Sequence, residues 1–273
     1  MTPPPVRRPV RGTVYQWLGW TAVLGAVPFM VLTSNISQAL AAVGGTALFL
    51  GGGLLLRRGM KHSAPSGADS LARDDRPPIV YLRSFADESD DSRLTSLLHG
   101  AFTRRISEDV PAWASQEQLL LGKYLSMIGP YVAIGRPGEP LPELGAHRLY
   151  VGGKWEEQVV ALLRRARFVV IRAGTTRGLQ WELEQVMAAV EPSRVLVILP
   201  VTARGYARFR QSAPGALRRL PARPPAQRLV AFEDDGSPVL LPARRSIDET
   251  LAPFLQRLAI EPPKQAWIWK APV

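Results

Sequence analysis

Residues 168–186 read FVVIRAGTTRGLQWELEQV: four consecutive apolar residues, an arginine, a small polar loop, then apolar side chains at helical spacing. A continuous apolar run of strand length suits a β-strand covered on both faces, as in a parallel sheet. Leu179, Leu183, Val186, Met187 and Val190 recur every three or four residues, which predicts a helix from about Arg177 to Val190 with one buried face. Strand, loop and helix in that order make one unit of an α/β fold.

The alternation continues in both directions. Ile79–Leu82, Tyr131–Ile134, Leu149–Val151 and Val195–Leu199 are the other short apolar runs. Between them, Leu94, Leu97, Leu98, Ala101 and Phe102 predict a helix from Ser92, and a capping box, Ser115 with Gln118, opens a second that Gly129 ends. Trp155, Val159, Leu162, Leu163 and Ala166 give a third, with Glu156 and Glu157 at its start and Arg164 and Arg165 at its end, as the helix dipole favours. Five strands with helices between them predict a doubly wound, mostly parallel α/β sheet of flavodoxin-like order over residues 78–200, with ligands expected at the C-terminal strand edges near strands one and three. Beyond Pro200 the pattern loosens. Arg204 to Arg228 holds seven arginines and no acid, and reads as a connector. Leu229–Phe232 and Val239–Leu241 flank a hairpin signal, Asp234-Asp235-Gly236, and Ser246 with Glu249 opens a helix through about Leu258, so residues 201–273 are expected to pack on the domain.

The N-terminal 61 residues have a different character. No charged residue lies between Gly12 and Leu56, and two apolar spans, Val14–Thr33 and Ile36–Leu56, are separated by Ser34-Asn35. Each is about 20 residues, the length that crosses roughly 30 Å of hydrocarbon. Trp17 and Trp20 suit an interfacial aromatic belt, and Ala22/Ala26 with Ala41/Gly45 offer small faces for close helix packing. The expectation is a transmembrane hairpin over residues 1–61, whose lipid partner is the bilayer. Residues 62–77, small, polar and unpatterned, read as a linker to the α/β head. Arg7, Arg8 and Arg11 precede the first span and Arg57, Arg58 and Lys61 follow the second, so the positive-inside rule puts both termini in the cytoplasm of a two-span protein of the cell membrane.

Composition removes several chemistries. Among 273 residues there is no cysteine and there are three histidines, which excludes disulfides, thiolate metal sites and thiol nucleophiles and argues against any bound metal. The net charge of +11 is carried more than half by the hairpin flanks, and no aromatic-interleaved pattern accompanies the arginines of 204–228, so nucleic acid is not the expected partner. For that segment an anionic lipid surface ranks after a solvated connector. Phosphate-loop, dinucleotide-fingerprint, zinc-protease and nucleophile-elbow motifs are absent.

The 168–186 stretch resembles the strand, loop and tryptophan-bearing helix of Toll/interleukin receptor (TIR) domains. Residues 79–88, IVYLRSFADE, are similar to the TIR opening strand with its serine and acidic loop, and residues 135–145, GRPGEPLPELG, occupy the place of the loop after the second strand. Two departures stand out. About 48 residues separate the first two strands, and Glu182 follows Trp181 directly, which resembles the divergent bacterial TIR-like group with an aromatic-Glu-Leu sequence. The resemblance implies a catalytic glutamate that cleaves the nicotinamide–ribose bond of NAD, no permanently bound cofactor, and assembly into homo-oligomers through the head, in a signalling or defence response. It leaves Glu182 and Glu184 as candidates. At roughly 100° per residue, Glu182 lies about 85° from the centre of the buried face and Glu184 about 115° away on the other side, which favours Glu182 as the catalytic residue; the competing reading makes both solvated helix acids. Arg83, Ser84, Phe85, Arg136, Gly174, Thr175 and Trp181 are the expected nucleotide-binding residues, with Arg83, Arg136 and Arg172 as strand-end arginines able to meet a pyrophosphate. The alternative function is a non-catalytic, membrane-tethered scaffold or nucleotide sensor of the same fold.

The orientation makes a direct prediction. In inverted membrane vesicles a C-terminal tag is expected to be removed by added protease, and its protection there would reverse the assigned topology.

Overall fold

The computed structural model describes residues 9–63, 65–83, 117–135, 146–150, 155–200, 202–244 and 246–263. The expected helix from Ser92, the start of the capping box at Ser115 and the segment 136–145 lie outside them. Two compact units are present, one holding the N-terminal helices and the other the head from Ser66 onward.

In the first unit, helix α1 (Pro9–Ser34) and helix α2 (Gln38–Ser63) form a hairpin closed by a tight turn in which Ile36 and Ser37 N–H both donate to the Thr33 carbonyl. Val10–Ser34 and Gln38–Met60 are each long and apolar enough to cross a membrane. Their outer surface is apolar, with Trp17, Leu24, Val31, Leu32 and Val43 all exposed. The seam between them is built on backbone. A Cβ on Gly19 would lie 2.8 Å from the Gly52 carbonyl oxygen, and one on Gly52 2.8 Å from that of Gly19; Gly12 and Gly59 repeat the reciprocal contact at 3.0 and 2.8 Å. Ala26, 3% exposed, faces Gly45 one heptad further on. Of the small residues expected at the interface, Ala26, Ala41 and Gly45 are buried there and Ala22 is half-buried. Where the hairpin opens, the Tyr15 ring stacks on His62 at 5.5 Å and carries the Arg58 guanidinium at 5.7 Å.

The head is an α/β domain around a seven-stranded mixed sheet. In chain order it contains helix α3 (Gly67–Arg73), strand β1 (Ile79–Arg83), helix α4 (Glu117–Ile128), strands β2 (Tyr131–Ile134) and β3 (His147–Leu149), helix α5 (Trp155–Arg165), strand β4 (Phe168–Arg172), helix α6 (Arg177–Ala189), strand β5 (Val195–Ile198), helix α7 (Ala203–Ser212), strands β6 (Leu229–Phe232) and β7 (Pro238–Leu241), and helix α8 (Ile247–Arg257). The sheet order is β3-β2-β1-β4-β5-β6-β7, parallel from β3 to β5 and antiparallel beyond. Seven strands replace the five expected, because β6 and β7, expected as a hairpin packed on the domain, join the sheet itself. β4, and not β3, lies beside β1, since the short β3 is placed outside β2. β3 also begins two residues earlier than its apolar letters suggest, at His147.

Every residue of β2 and β5, and all of β1, is buried, as continuous apolar strands require. Val80, Leu82, Val169 and Ile171 face a core closed by α5, α6 and α7; Ile79, Tyr81, Phe168 and Val170 face a second core closed by α4 and α8, where the Phe168 and Phe254 rings meet edge-on at 5.2 Å. The arginine-rich connector is folded. Tyr206 and Phe209 of α7 enter the first core, while Arg210, Arg218 and Arg228 donate to the carbonyls of Leu220, Ala213 and Leu199. The expected linker 62–77 contains α3, which covers the open edge of the sheet: Ser70 hydrogen-bonds the His147 ring of β3, and Gly67 lies against the β3 backbone. Ser246 does precede α8, but its side chain makes no capping bond; Thr250 Oγ1 instead donates to the Ser246 carbonyl and accepts from Arg244 N–H.

The reciprocal glycine seam predicts that Gly19→Leu and Gly52→Leu each destabilise the hairpin by about 1–3 kcal/mol through overpacking. Gly53→Leu, where a Cβ would meet nothing within 4 Å, is the matched control. Thermal unfolding in detergent, followed through Trp17 and Trp20, is expected to move for the first two variants and not for the third.

Candidate functional site

The unit that decided the fold also carries the site. β4 ends at Arg172, Ala173 N–H donates to the Ile198 carbonyl, and the chain turns through buried Gly174 and exposed Thr175 into α6, whose first carbonyl acceptor is Thr176. Leu179, Leu183 and Val186 point into the first core. Glu182 lies beside that stripe, between it and Trp181, and is only 5% exposed, whereas Glu184 is in solvent. Trp181 packs edge-on against Trp155 of α5 with ring centroids 4.7 Å apart. The carboxyl is therefore buried on a helix that packs against α5 through the Trp155–Trp181 contact, about one and a half turns from the start of α6.

Burial has a cost for this group. Loss of hydration disfavours the charged form and pushes the Glu182 carboxyl up to about 7, with no described cation offsetting the effect. A carboxyl of that kind gives and takes a proton at neutral pH, the property expected of a catalytic acid or base and not of a helix surface acid. Of the other expected residues, Trp181, Gly174 and Thr175 share the β4–α6 unit with Glu182. Arg83 ends β1, 4% exposed and in direct register with Arg172 of β4. It lies on the α4 face by strand alternation, since Leu82 belongs to the α6 face. Ser84, Phe85 and Arg136 lie outside the described residues.

Sequence reasoning missed Arg148. It occupies the centre of β3, 2% exposed, in register with Ala133 of β2. The apolar run that marks this strand in the sequence begins only at Leu149, and an arginine between a histidine and a leucine gives no strand signal. Among the described residues no group of histidines and acids is placed to hold a metal ion. Compared with known protein families, curated proteins and solved structures, the chain matches none.

The environment of Glu182 predicts a pH-dependent stability. Its folded pKa exceeds its unfolded value near 4.5, so the native state holds a proton that the unfolded chain has released, and stability falls as pH rises from about 4.5 to about 7. A shift of that size corresponds to about 3 kcal/mol. Glu182→Gln is therefore expected to match the wild type near pH 5 and to be the more stable protein at pH 8 by on the order of 1–3 kcal/mol. Equal unfolding midpoints at pH 8 would mean that the carboxyl is hydrated.

Proposed function

We propose that the chain is a membrane-anchored, TIR-like protein whose head binds NAD and hydrolyses its nicotinamide–ribose bond, with Glu182 as the catalytic carboxylate. The observation that carries this reading is the burial of Glu182, next in sequence to the Trp181 that packs on Trp155, with its carboxyl raised to about 7. The strand order supports it too. With the three-residue β3 taken as an addition outside β2, the remaining order β2-β1-β4-β5-β6 follows the flavodoxin-like sequence of positions, with the last strand reversed. The sequence of β4 and α6 carries the resemblance to TIR domains described above.

The chemistry asks little of the protein beyond placement and charge. As the bond from the ribose anomeric carbon to the pyridinium nitrogen breaks, its electron pair leaves with nicotinamide and positive charge develops on the ribose. An ionised carboxylate close to that carbon lowers the barrier electrostatically, as in sugar-cleaving enzymes. Water then adds to the anomeric carbon and releases a proton, giving ADP-ribose and nicotinamide. A carboxyl that titrates near neutrality can accept that proton. The aromatic pair offers a flat apolar wall for the nicotinamide ring. In this reading α1 and α2 cross the bilayer with both termini in the cytoplasm, and confinement to the membrane plane raises the effective concentration of heads for assembly.

Full-length protein in detergent or liposomes, incubated with NAD, is expected to release nicotinamide. Glu182→Gln should lower kcat on the order of 10²-fold or more, and Glu184→Gln should leave it unchanged. Because the ionised form works, the wild-type rate should climb with pH through about 7. Absence of nicotinamide release in the assembled protein would point to the scaffold or sensor alternative.

A further inference from the structure

The arginine-rich stretch is folded, and its folding sorts its cations into two sets. No acid lies between Glu191 and Glu233. Arg210, Arg218, Arg219 and Arg228 each donate to a backbone carbonyl, those of Leu220, Ala213, Asp235 and Leu199. Arg204, Arg208 and Arg223 are exposed, and their side chains make no hydrogen bond or ion pair among the described residues. Helix α7 sets two of them on one stripe. At roughly 100° per residue, Arg204, Arg208 and the exposed Gln211 fall within about 60° of one another, on the side opposite Tyr206 and Phe209, which enter the core. Arg223 follows closely: the Tyr206 hydroxyl donates to the Pro221 carbonyl at 2.6 Å, which brings the chain back to α7 just before it.

The other helices of the head carry mixed charge. α5 has Glu156 and Glu157 with Arg164 and Arg165, α6 has Arg177 with Glu184, and α8 has Asp248 and Glu249 with Arg257. Among the described α-helices of the head, α7 alone has arginines and no acid. Connectivity brings such a surface within reach of lipid. α2 ends at Ser63 and α3 begins at Gly67, so three residues, at most about 14 Å of chain, join a hairpin of membrane length to the head. A head on so short a tether has part of its surface beside lipid headgroups. Anionic headgroups attract exposed cations that come within a Debye length, roughly 8–10 Å. The aromatic residues favour lipid over nucleic acid. Single strands bind on exposed aromatic platforms, and Tyr206 and Phe209, the two aromatics between residues 199 and 228, are both buried.

We propose that the Arg204–Arg208 stripe of α7, with Arg223, docks the head on anionic lipid of the bilayer that the hairpin spans. This rests on the membrane-anchored reading of the hairpin and not on any activity of the head. The contact supplies what a tether alone lacks, a defined face of the head turned to the membrane. It also makes that arrangement depend on lipid charge and on salt.

Because the chain has no cysteine, one introduced thiol reports one position. Full-length Gln211→Cys is labelled with a fluorophore and reconstituted in phosphatidylcholine vesicles containing a nitroxide-headgroup lipid, with and without phosphatidylserine. Gln256→Cys, exposed on α8 of the other face, is the control. Quenching of the Gln211 label is expected to be several-fold stronger with phosphatidylserine and to fall in high salt, while the Gln256 label responds to neither. Arg204→Gln, Arg208→Gln and Arg223→Gln should each weaken docking about fivefold, the equivalent of roughly 1 kcal/mol per cation at an anionic surface. The triple variant should behave as the wild type does in neutral vesicles, and Arg208→Lys, which keeps the charge, should dock normally. All three positions are exposed, so the fold tolerates these changes. The proposal is overturned by Gln211 quenching that ignores phosphatidylserine or by quenching retained in the triple variant. It is also overturned by a duplex oligonucleotide that binds the wild type and not the triple variant in neutral vesicles, which would make the surface a nucleic-acid site. Extraction of the protein from neutral vesicles by alkaline carbonate would remove the anchor and the proposal with it; stable insertion without docking would remove the proposal alone.

Discussion

The pairing of β1 with β4 is the constraint on which the rest of the head depends. Five consecutive residues, Ile79–Arg83, run in parallel register with Phe168–Arg172, and nearly all ten side chains are out of water. A parallel pair buried on both faces has to be covered by helices on both, because its side chains alternate between them. That requirement sets α5, α6 and α7 on one side and α4 and α8 on the other. It also fixes where polar groups can survive. The two charged residues of this pair, Arg83 and Arg172, are the last residues of their strands.

Much of this was legible from the chain, for identifiable reasons. Apolar runs such as Phe168–Ile171 and Val195–Ile198 announce parallel strands, because both faces must be apolar at once. The phasing of α6 also held: Leu179, Leu183 and Val186 are buried, Glu184 is exposed, and Glu182 is the acid nearer the core. Its depth was not legible. A helical wheel gives an angle around an axis, and the elements that pack against α6, α5 among them, come from other parts of the chain. The start of β3, two residues before the apolar run at Leu149, escaped for a related reason. Three residues, His147-Arg148-Leu149, are held by pairing to Val132–Ile134 and by α3, and neither partner is visible in local composition. The widening of the sheet from five strands to seven likewise depends on the Ile198–Leu229 pairing, which joins segments 31 positions apart.

The basic character of the chain has a structural share that charge counting does not reveal. Arg194 donates to the carbonyls of Arg167 and Ala166, Arg76 to that of Met127, and Arg210, Arg218 and Arg228 to others between residues 199 and 220. These bonds satisfy backbone oxygens at the ends of elements, where turns leave them without an N–H partner. Arginine suits the task because a long, apolar stem can cross packed surface before the fork reaches its acceptor. A stretch that reads in sequence as a solvated connector is in this way a brace for the loops that carry α7.

The glycine seam of the hairpin has a consequence for how its length can change. Gly12, Gly19 and Ala26 meet Gly59, Gly52 and Gly45, each pair seven residues from the next and placed symmetrically about the turn. Adding one residue to either helix would rotate everything beyond it by roughly 100° and carry the glycines out of the seam. Lengthening one helix by a full seven would leave the other without a partner for the added turns. The hairpin can therefore grow or shrink only by matched heptads in both arms, a step of about 10 Å in height. The length of the paired helices is in that sense quantised.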